Sequence, residues 1–293
     1  MIEERLDTVP WSTLHHAYGP ATDVPDHLTA LRSPDPATRG DALAALTITV
    51  CHQGTRWEAS HWVIPFLVSL IDTTGTPDRG DILQLLTRLT IGDRRDDELP
   101  FEPAKAFAAT AILDRIDTTA LVNRFHLEED EFTDEEITLL DAVAVRWAAD
   151  CYHRTAAHGQ TITGWLTDPD DEVSARAAAL TAWLPPNPAT TDAWLRIPHD
   201  HEQPRASANL ALAHSPATDP AIDAALHHMT VTGSDLVAIT AAVASAYRRG
   251  LEIDPPAVTV LIDAADRETL RDVTGWSRAT RGFVMRALHR LGL

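Results

Sequence analysis

Only one basic side chain of this 293-residue chain is a lysine, Lys105, and only two cysteines occur, Cys51 and Cys151. Two thiols so far apart make no disulfide framework and suit a reducing, cytoplasmic setting. Long apolar runs are missing as well. No window approaches the ~20 uninterrupted apolar residues of a membrane-spanning helix, and Met1-Ile2-Glu3-Glu4-Arg5 has neither the basic start nor the apolar stretch of a secretory signal. The expectation is a cytoplasmic protein with no membrane contact. Positive charge is scarce overall: 24 basic against 43 acidic side chains give a formal net charge of −19. Such a surface repels polyanions, which disfavours nucleic acid and favours a basic protein or peptide as partner. Three patterns are absent too: a Gly-x-Ser-x-Gly elbow, a phosphate-binding glycine loop, and period-2 alternation around a hairpin turn. Lacking the first two, the chain carries no signature of acyl or phosphoryl transfer. Lacking the third, it reads as all-α. The preference for Arg over Lys is compositional and carries no argument.

What the chain does have is a series of amphipathic helices with clear starts and stops. Trp11, Leu14, His15 and Tyr18 lie at helical spacing before Gly19, so residues 1–33 read as an N-terminal helical cap. Asp35-Pro36 opens the first long helix, because Asp caps it and proline at its first position loses no bond. Ala59, Trp62, Val63, Phe66, Leu67, Leu70 and Ile71 form the apolar stripe of the next. Ile82, Leu85, Leu86 and Leu89 stripe a third, which Gly92 ends. Asp93 to Pro103 reads as a long polar surface loop. The acidic run Glu128 to Glu136 includes a capping box, Thr133 with Glu136, for a helix reaching about His158. Shorter helices follow, among them Glu268 to Val273 and Arg278 to Leu291.

An internal repeat ties these helices together. Arg39-x-x-Ala42-x-x-Ala45-Leu46 recurs as Arg176-x-x-Ala179-x-x-Ala182-Trp183, as Arg205-x-x-Ala208-x-x-Ala211-Leu212, and loosely as Arg281-x-x-Val284-x-x-Ala287-Leu288. Small residues three apart let a helix approach its neighbour closely. Asp35-Pro36, Asp168-Pro169 and Asp219-Pro220 mark helix entries. This Asp-Pro-x-x-x-Arg-x-x-Ala-x-x-Ala-Leu pattern resembles the HEAT-like repeat of phycobilin lyases, of a class of DNA alkyl-base glycosylases and of many bacterial scaffolds. The run Trp11-x-x-Leu14-His15-His16-Ala17-Tyr18-Gly19, with His52-Gln53-Gly54-Thr55, is similar to uncharacterised actinobacterial HEAT-repeat proteins. The resemblance implies a single right-handed α-solenoid of HEAT-like helix pairs, with repeats over 34–265 and capping helices over 266–293. It speaks to fold rather than function.

The corner between the first two repeat helices stands out, because the repeat does not require polar and aromatic residues there. His15, His16, Tyr18, His52, Gln53, Arg56, Trp57, Glu58 and His61 are the candidate binding residues, on the inference that stacking brings cap and first repeat together. Glu58-x-x-His61 puts a carboxylate and an imidazole on one helix face, half of a di-metal site; with no second copy, no metal set is read from it. Cys51-His52 with Cys151-x-His153, and His199-Asp200-His201-Glu202, contain ligand types but read better as core thiols and a solvated turn. Arg267, Arg271, Arg278, Arg281, Arg286 and Arg290 make the C-terminus locally basic, which charge pairing between neighbouring helices explains. The expected function is a protein- or peptide-binding scaffold acting through an acidic concave surface, without a cofactor. The alternatives are an enzyme or enzyme accessory with its site at the first repeat joint, and a glycosylase-like nucleic-acid enzyme. The missing motifs lean the reading away from catalysis.

Overall fold

A computed structural model describes residues 6–127 and 131–293. The chain is mostly helical, as the apolar periodicity implies. Its contacts divide it into two compact units, Met1–Asp93 with Glu102–His158, and Arg94–Phe101 with Gly159–Leu293. No helix among the described residues is long and apolar enough to cross a membrane. Of the acidic run, Glu128, Glu129 and Asp130 lie outside the described residues.

The first unit contains α1 (Val24–Ala30), α2 (Pro36–Val50), α3 (Ser60–Asp72), α4 (Arg79–Ile91), α5 (Thr119–His126) and α6 (Asp134–Ala156). Two starts form as the sequence dictates: the Asp35 carboxylate accepts from Thr38 N–H, and Thr133 and Glu136 close a capping box. Most of the α3 stripe is covered, with Val63, Leu67, Leu70 and Ile71, and Ile64 beside them, removed from solvent against α4 and α6, while Trp62 stays partly exposed. Burying each such side chain contributes roughly 1.5–3 kcal/mol before conformational entropy is subtracted.

Two elements depart from the helical expectation. His15 and Tyr18 do not continue a helix; β1 (His15–His16) pairs antiparallel with β2 (Gly19–Pro20), and β3 (Cys51–His52) pairs with β4 (Thr55–Arg56). Strands of two residues show no alternation, and their backbone groups bond outside the local helix. Ala17 N–H donates to Thr49 O at 3.0 Å and Ala59 N–H donates to His15 O at 3.0 Å, which ties the first hairpin to the segments on either side of the second. Both central residues of the second turn, Gln53 and Gly54, have positive φ, 49° and 78°, as a type I′ turn requires.

The second unit contains α7 (Gly159–Gly164), α8 (Asp171–Thr181), α9 (Pro188–Arg196), α10 (Glu202–Ala213), α11 (Pro220–Thr232), α12 (Asp235–Arg249), α13 (Pro255–Ala265) and α14 (Thr280–Arg290). Helix α12 is its centre, packed against α10, α11, α13 and α14 around Ile239, Val243, Leu261, Phe283 and Val284. The sequence predicts a helix over Glu268 to Val273, and none forms. Instead Thr280 Oγ1 donates to Arg271 O, Gln203 Nε2 donates to Asp272 O and Thr274 N–H donates to Gln203 Oε1. Tertiary partners have taken the backbone groups a helix would have used.

The repeat arginines do more than accompany small residues. Each of three reaches back to carbonyls at the end of the preceding helix or just beyond it: Arg39 to Ser33 O and Pro34 O, Arg205 to Trp194 O and Ile197 O, Arg281 to Arg267 O. Arg79 does the same with Ile71 O at 2.6 Å. Helix C-termini leave carbonyls without intrahelical donors and carry partial negative charge, so a guanidinium there answers both needs. Arg176 is the exception and pairs with Glu172 on its own helix.

The polar stretch after α4 is not a free surface loop. Arg94–Phe101 belongs to the second unit, where the Asp96 carboxylate is buried and accepts from Arg278 Nε at 2.8 Å through both oxygens. Asp97 accepts from Arg278 and Arg286. Arg267 meets Asp235, Arg271 meets Glu202, and Arg290 lies over the Tyr247 ring at 4.2 Å. The locally basic C-terminus is therefore spent largely on internal pairing.

Candidate functional site

The hairpin corner of the first unit gathers most of the predicted site residues. His16 Nε2 lies 2.9 Å from Asp23 Oδ1, and Tyr18 N–H donates to His16 Nδ1. The exposed Tyr18 ring sits edge-on to His52, its hydroxyl 3.2 Å from His52 Nδ1. Gln53 serves the turn through its backbone. Arg56 is buried, and its Nη1 donates to Gly54 O at 2.7 Å; it is a pin under the hairpin rather than a surface group. The Trp57 ring stacks with Phe125 and Trp147, and the Trp57 backbone N–H donates to Ser60 Oγ, which donates in turn to Val50 O.

Arg56 dictates the glycine at the end of α4. A Cβ on Gly92, where φ is 63°, would stand 1.9 Å from Arg56 Nη1. Gly92→Ala is expected to lose on the order of 2 kcal/mol, from the left-handed backbone and the displaced guanidinium; the urea midpoint measures it, and an unchanged midpoint would refute the pin.

Glu58 does not turn toward His61. Its Oε2 accepts from His15 N–H at 3.2 Å and lies 3.8 Å from His15 Nδ1 and 4.0 Å from His126 Nε2. The imidazoles of His15 and His126 are stacked, centroids 3.9 Å apart and planes 8° from parallel. His126, the last residue of α5, is the residue sequence reasoning missed, because nothing in its local pattern announces a partner near the N-terminus. Its side chain is only 6 % exposed, and its buried Nε2 has no hydrogen-bond partner. Burial, with His15 adding to it, pushes its pKa down to about 4, so it is neutral at physiological pH. Burial likewise lowers His61.

The other ligand types do not assemble. Among the described residues, the one group of three or more His, Cys, Asp or Glu side chains with ligand atoms within 4.8 Å of one another is His15, Glu58 and His126. Cys151 is buried, which pushes its thiol pKa up, and Cys51 Sγ faces Arg88 O at 3.8 Å. His201 pairs with Asp171, whose carboxylate raises the His201 pKa, and Glu202 accepts from Ser234 and Arg271.

The second unit holds a cavity of about 360 Å³ that no predicted site residue lines. Phe101, Leu184, Pro188, Trp194 and Pro216 give it apolar walls; Thr181, Asp192, His214 and Asp219 supply polar groups. Trp194 Nε1 donates to Thr181 Oγ1 at 3.0 Å, which fixes the indole as one wall. Asp192 is exposed at the rim. Its signal in the sequence was the run Pro185-Pro186-Asn187-Pro188, which reads only as a helix stop.

No family model, curated protein or solved structure matches this chain.

Proposed function

We propose that the protein is a helical scaffold that binds a peptide segment of a partner protein, and that the cavity of the second unit takes the segment's anchor. The observation that carries this reading is the cavity itself. Its volume falls in the ~300–1,000 Å³ range of ligand sites, and apolar walls with few polar groups are what such sites share. The occupant is an apolar side chain next to a basic one. Asp192 and Asp219 line the cavity, and the chain's net charge of −19 attracts cations at long range.

Fluorescence anisotropy with labelled peptides tests this. Peptides carrying Trp or Leu beside Arg or Lys are expected to bind, more weakly as salt rises. Asp192→Lys is expected to reduce their affinity roughly 3- to 10-fold, in keeping with a charge at an exposed rim, and Ala182→Leu to reduce it further by filling the cavity. Equal binding of Glu-flanked peptides, or indifference to Ala182→Leu, would contradict the reading.

A second reading, a site at the first repeat joint, is favoured by one observation, the convergence of His15 from β1, Glu58 from the turn before α3 and His126 from the end of α5.

A further inference from the structure

We infer that His15, Glu58 and His126 form a binding site for a divalent transition metal, Zn²⁺ foremost. This goes beyond the peptide-binding reading and does not depend on it.

The geometry argues first. Glu58 Oε2 lies 3.8 Å from His15 Nδ1 and 4.0 Å from His126 Nε2, beyond the reach of a hydrogen bond. The His15 N–H bond holds the carboxylate and stacking holds the two rings together, yet neither ring nitrogen is hydrogen-bonded to Glu58, so the three potential ligand atoms face one another unbonded. Donor atoms around a tetrahedral Zn²⁺ with bonds near 2.0–2.1 Å stand ~3.3 Å apart. Because an imidazole binds through a lone pair in its own plane, coordination to one ion requires the two rings, now 8° from parallel, to turn out of their stack while Glu58 closes in.

Chemistry argues second. Two imidazoles and one carboxylate select Zn²⁺ and its neighbours over Mg²⁺ and Ca²⁺, which prefer all-oxygen sets. Three protein ligands leave a fourth position for water or substrate, the arrangement of catalytic rather than structural zinc.

Burial argues third, and independently. A nitrogen hidden from water without a partner is destabilising, and His126 Nε2 is such a nitrogen, facing Glu58. A metal ion supplies the partner. The surroundings also position the carboxylate and the His15 backbone: His15 N–H donates to Glu58 and Ala59 N–H donates to His15 O. Such outer contacts orient metal ligands and tune their affinity.

Chelator-treated full-length protein is titrated with Zn²⁺ against a chromophoric chelator, and the Co²⁺-loaded protein is examined by visible absorption. One equivalent is expected to bind. The affinity is expected to fall at least 100-fold in His126→Ala and in Glu58→Gln, and to stay unchanged in His227→Asn. Circular dichroism of the metal-free variants reports folding. Should His126→Ala unfold, the conservative Glu58→Gln and the Co²⁺ spectrum of the unsubstituted protein decide alone. The spectrum is expected to show d–d bands without a thiolate charge-transfer band. No stoichiometric binding, equal binding by Glu58→Gln, or a thiolate band pointing to Cys51 and Cys151 would overturn the assignment.

Discussion

Arg205→Ala is expected to destabilise the second unit by about 3–5 kcal/mol, the combined order of a large-to-small cavity and of buried carbonyls left without a donor. The side chain is 0 % exposed. Its Nη1 donates to Trp194 O and Ile197 O at the end of α9, and its Nε donates to Asn209 Oδ1 at 3.2 Å. Asn209 Nδ2 in turn lies 3.2 Å from both Val237 O and Thr240 Oγ1. One guanidinium thus couples α9, α10 and α12. Alanine leaves the α9 carbonyls without a donor, breaks the bond to Asn209 and opens a cavity the size of the lost side chain. Burial lowers the Arg205 pKa to about 10, so the charge persists at neutral pH. Nη2 has no partner, and the site is therefore imperfectly satisfied. That detail separates two variants. Arg205→Met keeps most of the volume and removes the buried charge, and its expected loss is less than half that of Arg205→Ala. Urea unfolding followed by circular dichroism measures both. Equal losses would show that volume is irrelevant and that the carbonyl bonds carry the whole effect.

The second large effect is expected at Asp96. Its side chain is 3 % exposed, and both oxygens accept from Arg278 Nε at 2.8 Å. Arg278→Ala and Asp96→Ala each leave a partly buried charge behind, and each is expected to lose about 3 kcal/mol. The two should not add. In a double-mutant cycle the coupling is expected to be about 2–3 kcal/mol, short of the full effect because Asp97 still binds Arg286 and can retain Arg278. Asp96→Ala is also expected to speed proteolysis within Arg94–Phe101, since the buried Asp96–Arg278 pair is one of the bonds that hold that segment, beside those of Asp97 to Arg278 and Arg286. Additive losses in the cycle would mean that Asp96 and Arg278 act through different neighbours.

How much of this was legible in the sequence follows from where each interaction lies along the chain. Apolar stripes such as Ala59 to Ile71, and caps such as Asp35 and Thr133, are local, so the helices they define appear in the structure near the expected positions. The hairpins at His15–Pro20 and Cys51–Arg56 are local too, but strands of two residues give no period, and the spacing of Trp11, Leu14, His15 and Tyr18 imitates a helix. Glu268 to Val273 misleads for the opposite reason: its helix-compatible residues lose to bonds from Gln203 and Thr280. The corner was legible as a place, since His15, Tyr18, His52 and Glu58 do converge there. Its chemistry was not, because Glu58 turns away from the residue three positions on and toward His126, which only the return of α5 brings near. The role of the repeat arginines was hidden for the same reason; the carbonyls they bind belong to the preceding helix.

A partner segment that enters the cavity of the second unit meets the indole of Trp194, whose N–H, bonded to Thr181 Oγ1 in the cavity wall, is the most direct reporter of its entry. In two-dimensional NMR of ¹⁵N-labelled protein titrated with a short Leu-Arg or Trp-Arg peptide, that indole resonance is expected to move saturably, and to stop moving in the Ala182→Leu variant. A peptide that binds and shifts other resonances while the Trp194 indole stays still would show that the segment is held elsewhere than in this cavity.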